Sequence, residues 1–74
     1  MELHQVQQRL LDQYALRVEP AMAQYVLRRL TAGGADSKLP VIGGDARTGL
    51  ALRQNVDLNL LRQGLEGSTT VLPA

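Results

Sequence analysis

Apolar side chains recur along the first part of the chain at Leu3, Val6, Leu10, Leu11, Tyr14 and Val18. At 100° per residue they fall within an arc of ~140°, while Gln5, Gln8, Arg9 and Asp12 occupy the other side. The spacing predicts a one-faced amphipathic helix from Glu2 to about Arg17, with Leu16 projecting from its polar face. Glu19-Pro20 then stops that helix and starts another. The residue before a proline is pushed out of the α region, and proline suits the first helical position, where its missing N–H is not needed. The second helix is expected from Pro20 to about Ala32, with Met22, Ala23, Val26, Leu27 and Leu30 on one face. Gly33-Gly34 end it, Gly33 being placed for a left-handed cap. The link between the helices is short, so a compact helical corner or hairpin is expected.

Beyond residue 38 the period changes. Leu39-Pro40-Val41-Ile42 and Leu50 to Val56 read as extended. In the second piece Leu50, Leu52 and Val56 point one way, and Arg53 and Asn55 the other. Pro40 removes a donor, so its strand belongs at an edge or a strand start. The stretch Gly43-Gly44-Asp45-Ala46-Arg47-Thr48-Gly49 closes the pair as a glycine-rich, mobile hairpin loop. Asp57 suits the N-cap of a short third helix from Leu58 to about Gln63, with Leu58, Leu61 and Leu65 on its inner face. The expected fold is α+β: two N-terminal amphipathic helices packed on a β-hairpin, with a short C-terminal helix. Residues 1–67 form a single small α+β domain and residues 68–74 a flexible C-terminal tail. The expected core is Leu3, Val6, Leu10, Tyr14, Met22, Val26, Leu30, Val41, Leu50, Leu52, Leu58 and Leu61.

Composition narrows the function. The 74 residues are 45% apolar and 20% charged, which is globular rather than disordered. The chain has no Cys, Trp or Phe, so its 14 leucines do most of the packing and thiolate metal sites are excluded. A core of this size rarely supplies more than ~3–5 kcal/mol, and a partner chain is a common remedy. Eight basic and seven acidic residues leave a net charge of +1, with no run of like charge. A dedicated nucleic-acid binder usually carries a clear basic surplus. Apolar runs reach only three to four residues, far from the ~18–20 that span a bilayer. The segment MELHQVQQ lacks the basic and apolar regions of a signal peptide. No membrane insertion and a cytoplasmic location are therefore expected. Seven of the eight basic residues are Arg, and Ile and Lys occur once each. These biases match codons rich in G and C and point to a bacterium.

Candidate chemistry is sparse. The glycine-rich loop lacks the Lys-Ser/Thr pair of a Walker A loop and the spacing of a dinucleotide fingerprint. His4 has no ligand partner three or four residues away. Ser37 follows an Asp, as the attachment serine of carrier proteins does. Lys38 and an extended segment follow it, however, where an apolar residue and a helix are required. No nucleophile–base set is present, so no enzymatic activity and no cofactor are expected. Tyr25, Arg28 and Arg29 lie beside one another off the apolar face of the second helix, and Tyr and Arg are enriched at interface hot spots. The leading expectation is a small non-enzymatic protein–protein interaction module: a subunit, adaptor or regulator in a larger bacterial assembly. Its partner-binding residues are taken as Leu16, Tyr25, Arg28, Arg29, Arg47 and Arg53. Self-association as a homodimer is also expected, through the edge strand Leu50 to Val56 or the helix surface around Leu16 and Tyr25. The alternative is a small DNA-binding transcriptional regulator that uses Arg28, Arg29, Arg47 and Arg53.

Overall fold

The computed structural model describes residues 2–32 and 38–67. The elements run α1 (Leu3–Tyr14), β1 (Leu16–Arg17), α2 (Pro20–Ala32), β2 (Lys38–Asp45), β3 (Ala51–Asp57) and α3 (Leu58–Gly67). The fold is α+β, with the three helices on one face of a three-stranded antiparallel sheet of order β1-β2-β3. Gly33, Gly34 and residues 68–74, where a helix cap and a tail are expected, lie outside the described residues. Among the described residues no helix is long and apolar enough to cross a membrane.

Helix α1 begins where Glu2 N–H donates to Gln5 Oε1 at 2.7 Å and Glu2 O accepts from the amides of Gln5 and Val6. It ends earlier than periodicity suggests. Ala15 adopts a left-handed conformation (φ 54°), and its N–H bonds back to Leu10 O and Leu11 O. The next two residues form β1 and pair with β2 in the register Leu16↔Asp45 and Arg17↔Gly44. Leu16 is therefore not a helical residue on a polar face. It is fully buried in the core, because the strand turns it toward the helices. The two helices still pack on each other, but the link between them is longer than expected and carries this strand, which adds a third member to the hairpin.

Helix α2 has the expected bounds and buries Ala23, Val26 and Leu30. Strand β2 is longer than expected and takes in Gly43, Gly44 and Asp45, so the connecting turn shrinks to the residues just after it. The β2–β3 register sets Leu39 opposite Val56, Val41 opposite Gln54 and Gly43 opposite Leu52. Asp45 N–H donates to Leu50 O at 2.8 Å, and Ala46 N–H donates to Ala15 O at 2.9 Å. Backbone groups alternate sides along a strand. The odd positions of β2 therefore face β3, and the even positions face β1. Pro40 is an even position, and β1 is too short to reach it. A central strand tolerates this proline because no neighbour asks for its missing N–H.

Asp57 caps α3 as expected: its Oδ1 accepts from the amides of Asn59 (2.9 Å) and Leu60 (3.2 Å). The helix runs on past Gln63 to Gly67. Long side-chain bonds tie the layers together. Gln7 Nε2 donates to Val18 O at 3.0 Å, Asp57 N–H to Tyr14 OH at 3.1 Å, and Arg62 Nη2 to Leu30 O at 2.9 Å. The last satisfies a carbonyl in the final turn of α2, where helical carbonyls lack partners.

The core comprises Val6, Leu10, Leu16, Val18, Ala23, Val26, Leu30, Leu39, Val41, Val56, Leu58 and Leu61, with Leu3, Tyr14 and Met22 partly buried against it. Leu50 and Leu52, expected in the core, are 69% and 37% exposed. They share the inner face with Val56, but their neighbours in register are Asp45 and Gly43, which offer no apolar surface. Gly43 is required where it stands. A Cβ there would collide with the Arg17 carbonyl and Leu16 Cδ1, whereas at Gly44 the nearest atom would be 3.9 Å away.

Gly43→Ala is therefore expected to cost about 1–3 kcal/mol through overpacking, and Gly44→Ala less than about 0.5 kcal/mol. Equal effects in urea unfolding would remove the crossing of β1 as the cause. Leu16→Ala should cost about 2–5 kcal/mol, as for a packed leucine. A near-neutral result in the same assay would return Leu16 to the surface.

Candidate functional site

Beyond Arg17 the chain leaves the sheet to start α2, and an open groove of about 540 Å³ forms between α2 and the β1 side of β2. Met22 and Tyr25 form its helical wall. Ile42 forms the sheet wall, with Gly43 and Gly44 beside it, and Arg17 and Glu19 carry opposite charges around the groove. Tyr25 is 43% and Ile42 59% exposed, so two large apolar side chains meet solvent here. Their positions follow from local rules. Leu39 and Val41 face inward, so alternation turns Ile42 outward. Tyr25 lies one position before the buried Val26, on the flank of α2 that also carries Met22. Gly43 and Gly44 add no side chain that would fill the groove.

The six expected contact residues do not form one surface. Leu16 is buried. Tyr25 lines the groove. Arg28 is exposed and points directly away from the α2 face that carries Ala23, Val26 and Leu30, while Arg29 is half-buried on the Tyr25 flank. Arg47 is exposed in the hairpin turn, and Arg53 is exposed on β3, on the sheet face opposite the helices. Arg28 and Arg53 thus stand on opposite sides of the molecule. Arg17, Glu19, Met22 and Ile42 were not among the expected contact residues. The alternation through Leu39-Pro40-Val41-Ile42 was the signal that marked Ile42 as a surface position.

Among the described residues no group of three or more His, Asp or Glu side chains is placed to hold a metal ion. His4 Nδ1 lies 3.6 Å from Glu2 Oε1, with both side chains largely in solvent.

The hairpin turn has its own anion. Asp45 Oδ1 accepts from the amides of Arg47 (2.7 Å) and Thr48 (3.3 Å), and Gly49, at φ 78°, returns its N–H to Asp45 O at 2.7 Å. The carboxylate occupies the concavity that backbone N–H groups offer to a phosphate. The Arg47 amide above all, then the Thr48 amide and the Arg47 charge, hold the Asp45 pKa below its ordinary value. A carboxyl whose folded pKa is depressed stabilises above its unfolded pKa and loses that contribution as pH falls through the folded pKa. The Arg47 and Thr48 amide resonances are thus expected to move on acidification with a midpoint below the usual aspartate range. A midpoint at or above that range in an NMR titration would break the assignment. Added phosphate should leave both resonances in place near neutral pH.

The chain matches no protein-family model, no curated protein and no solved structure, so a reading of the groove rests on the groove's own residues.

Proposed function

We propose that this protein is a small non-enzymatic interaction module, a subunit, adaptor or regulator in a larger bacterial assembly, that works in the cytoplasm and docks another protein in the groove between α2 and β2. One observation carries the reading: Met22, Tyr25 and Ile42 converge on an open, largely apolar groove at the surface of a very small domain. Exposed apolar side chains that cluster and are rimmed by polar ones mark interaction surfaces. Tyr25 brings a ring with few rotatable bonds and a polar tip, the kind of group that anchors interfaces. Arg17 and Glu19 give the rim both signs of charge, which favours register with a mixed-charge partner over attraction to a polyanion. Self-association as a homodimer belongs to the same reading.

The test is affinity capture from the extract of the source cells. The wild-type chain is compared with Tyr25→Ala and Ile42→Glu, both at exposed positions that leave the core intact. Tyr25→Ala should weaken binding of the captured protein by about 2 kcal/mol or more, roughly 30-fold, and Ile42→Glu should abolish it. Identical capture by all three would sink the groove as the docking site.

A further inference from the structure

The two edges of the sheet are finished differently. On the β1 side the chain itself turns into α2. On the other side β3 pairs with β2 and with no further strand among the described residues. The Asp45 N–H to Leu50 O bond sets the alternation of β3. Leu52, Gln54 and Val56 turn their backbone groups to β2 and their side chains to the helix face. Ala51, Arg53 and Asn55 turn their backbone groups to the open edge. Asp57 belongs to the outward set too, but its N–H is taken by the Tyr14 hydroxyl. The stretch with no backbone partner among the described residues is therefore Ala51 to Asn55. Two uncovered leucines, Leu50 at 69% and Leu52 at 37% exposure, lie at the same end of the strand. An unpaired edge beside exposed apolar side chains is a template for another strand.

We infer that β3 pairs antiparallel with β3 of a second copy, about a two-fold axis at Leu52, joining the two sheets into one. This deepens the interaction-module reading, on which it rests, by naming the chain itself as one partner. Symmetry makes the contact self-complementary and restricts its register. A two-fold axis at Arg53 sets two guanidinium groups directly opposite each other, which is unfavourable. An axis at Gln54 carries Leu50 past the end of the partner strand to Leu58, where α3 begins, and brings the helical layers toward each other. An axis at Leu52 has neither fault. Ala51 exchanges both backbone bonds with the partner's Arg53, and Arg53 with the partner's Ala51. Leu52 meets the partner's Leu52 at a close, non-hydrogen-bonded position, and Leu50 lies diagonally beside it. The contact sits at the turn end of the hairpin, clear of α3. It covers Leu50 and Leu52, though not the exposed Leu60 of α3, and it leaves both α2 grooves open at the outer edges of the joined sheet.

Sedimentation equilibrium of the whole chain tests this, with three variants. The wild type should be a dimer at hundreds of micromolar. Arg53→Pro removes an N–H that points away from β2 and has no partner among the described residues. Its circular dichroism should stay native while its dimer dissociation constant rises about tenfold or more. The chain has no cysteine, so Leu52→Cys should form a disulfide-linked dimer on mild oxidation, whereas Gln54→Cys should not. A monomeric wild type overturns the inference. So does an Arg53→Pro dimer as tight as wild type, or preferential crosslinking of Gln54→Cys. The two readings fail separately. A monomer that still captures its partner through Tyr25 removes only the dimer. A dimer whose Tyr25→Ala variant captures as well as wild type removes only the groove.

Discussion

The crossing of β1 over Gly43 is the constraint on which the rest of the structure depends. Ala15 ends α1 in a left-handed conformation that costs an alanine roughly 1–2 kcal/mol. The chain then lies against β2 for only two residues before Pro20 starts α2. Those residues bury Leu16 between sheet and helices, place the Arg17 carbonyl where any side chain at position 43 would stand, and fix where α2 begins. The strained residue is held by bonds on both sides, its N–H on the last turn of α1 and its carbonyl on Ala46. This crossing ties the end of α1 to the hairpin through backbone hydrogen bonds.

Features with a local chemical cause were legible in the sequence. Pro20 and the apolar face behind it gave the bounds of α2, and the Asp57 carboxylate gave the start of α3. The change of period beyond residue 38 gave the hairpin. What escaped was non-local. The one irregularity near Ala15 is Leu16, an apolar residue off the arc, and no glycine or proline stands beside it to end the helix. Only pairing with Asp45 and Gly44, far along the chain, makes Leu16 a strand residue. Leu50 and Leu52 failed as core positions for a related reason. Their inward direction follows from alternation, but their burial depends on what stands opposite, which is Asp45 and Gly43. Of the candidate contact residues, Tyr25 has both the exposure and the setting of a contact. Arg28, Arg47 and Arg53 are exposed but scattered, because residues on a helix, a turn and a strand converge only when the packing brings them together.

The short β1 accounts for both the groove and the proline. A longer strand would run beside Ile42 and Pro40, fill the groove and demand an N–H that Pro40 does not have. Because β1 stops at Arg17, α2 takes over that flank, and helix and strand meet with a gap between them. Glycine at positions 43 and 44 serves two ends there. At Gly43 it admits the neighbouring backbone, and at Gly44 it leaves the outer face open.

A chain of 74 residues with no disulfide has little core to spare, yet it leaves Tyr25, Ile42, Leu50, Leu52 and Leu60 in contact with water. These five do not form a single patch. Tyr25 and Ile42 flank the groove on the β1 side, Leu50 and Leu52 lie along the edge of β3 that no other described strand covers, and Leu60 is on α3. The separation matters for how surfaces work together. Two docking sites on one face compete for the same partner, whereas sites at opposite edges of a sheet can be filled at once. If a two-fold contact occupies the β3 edge, the paired chains present two grooves at a fixed spacing. A partner with two matching segments then binds the second at a high effective concentration, and the avidity exceeds what either small groove supplies alone. For a domain too small to build a large interface, doubling a modest one is the physically cheaper route to tight binding.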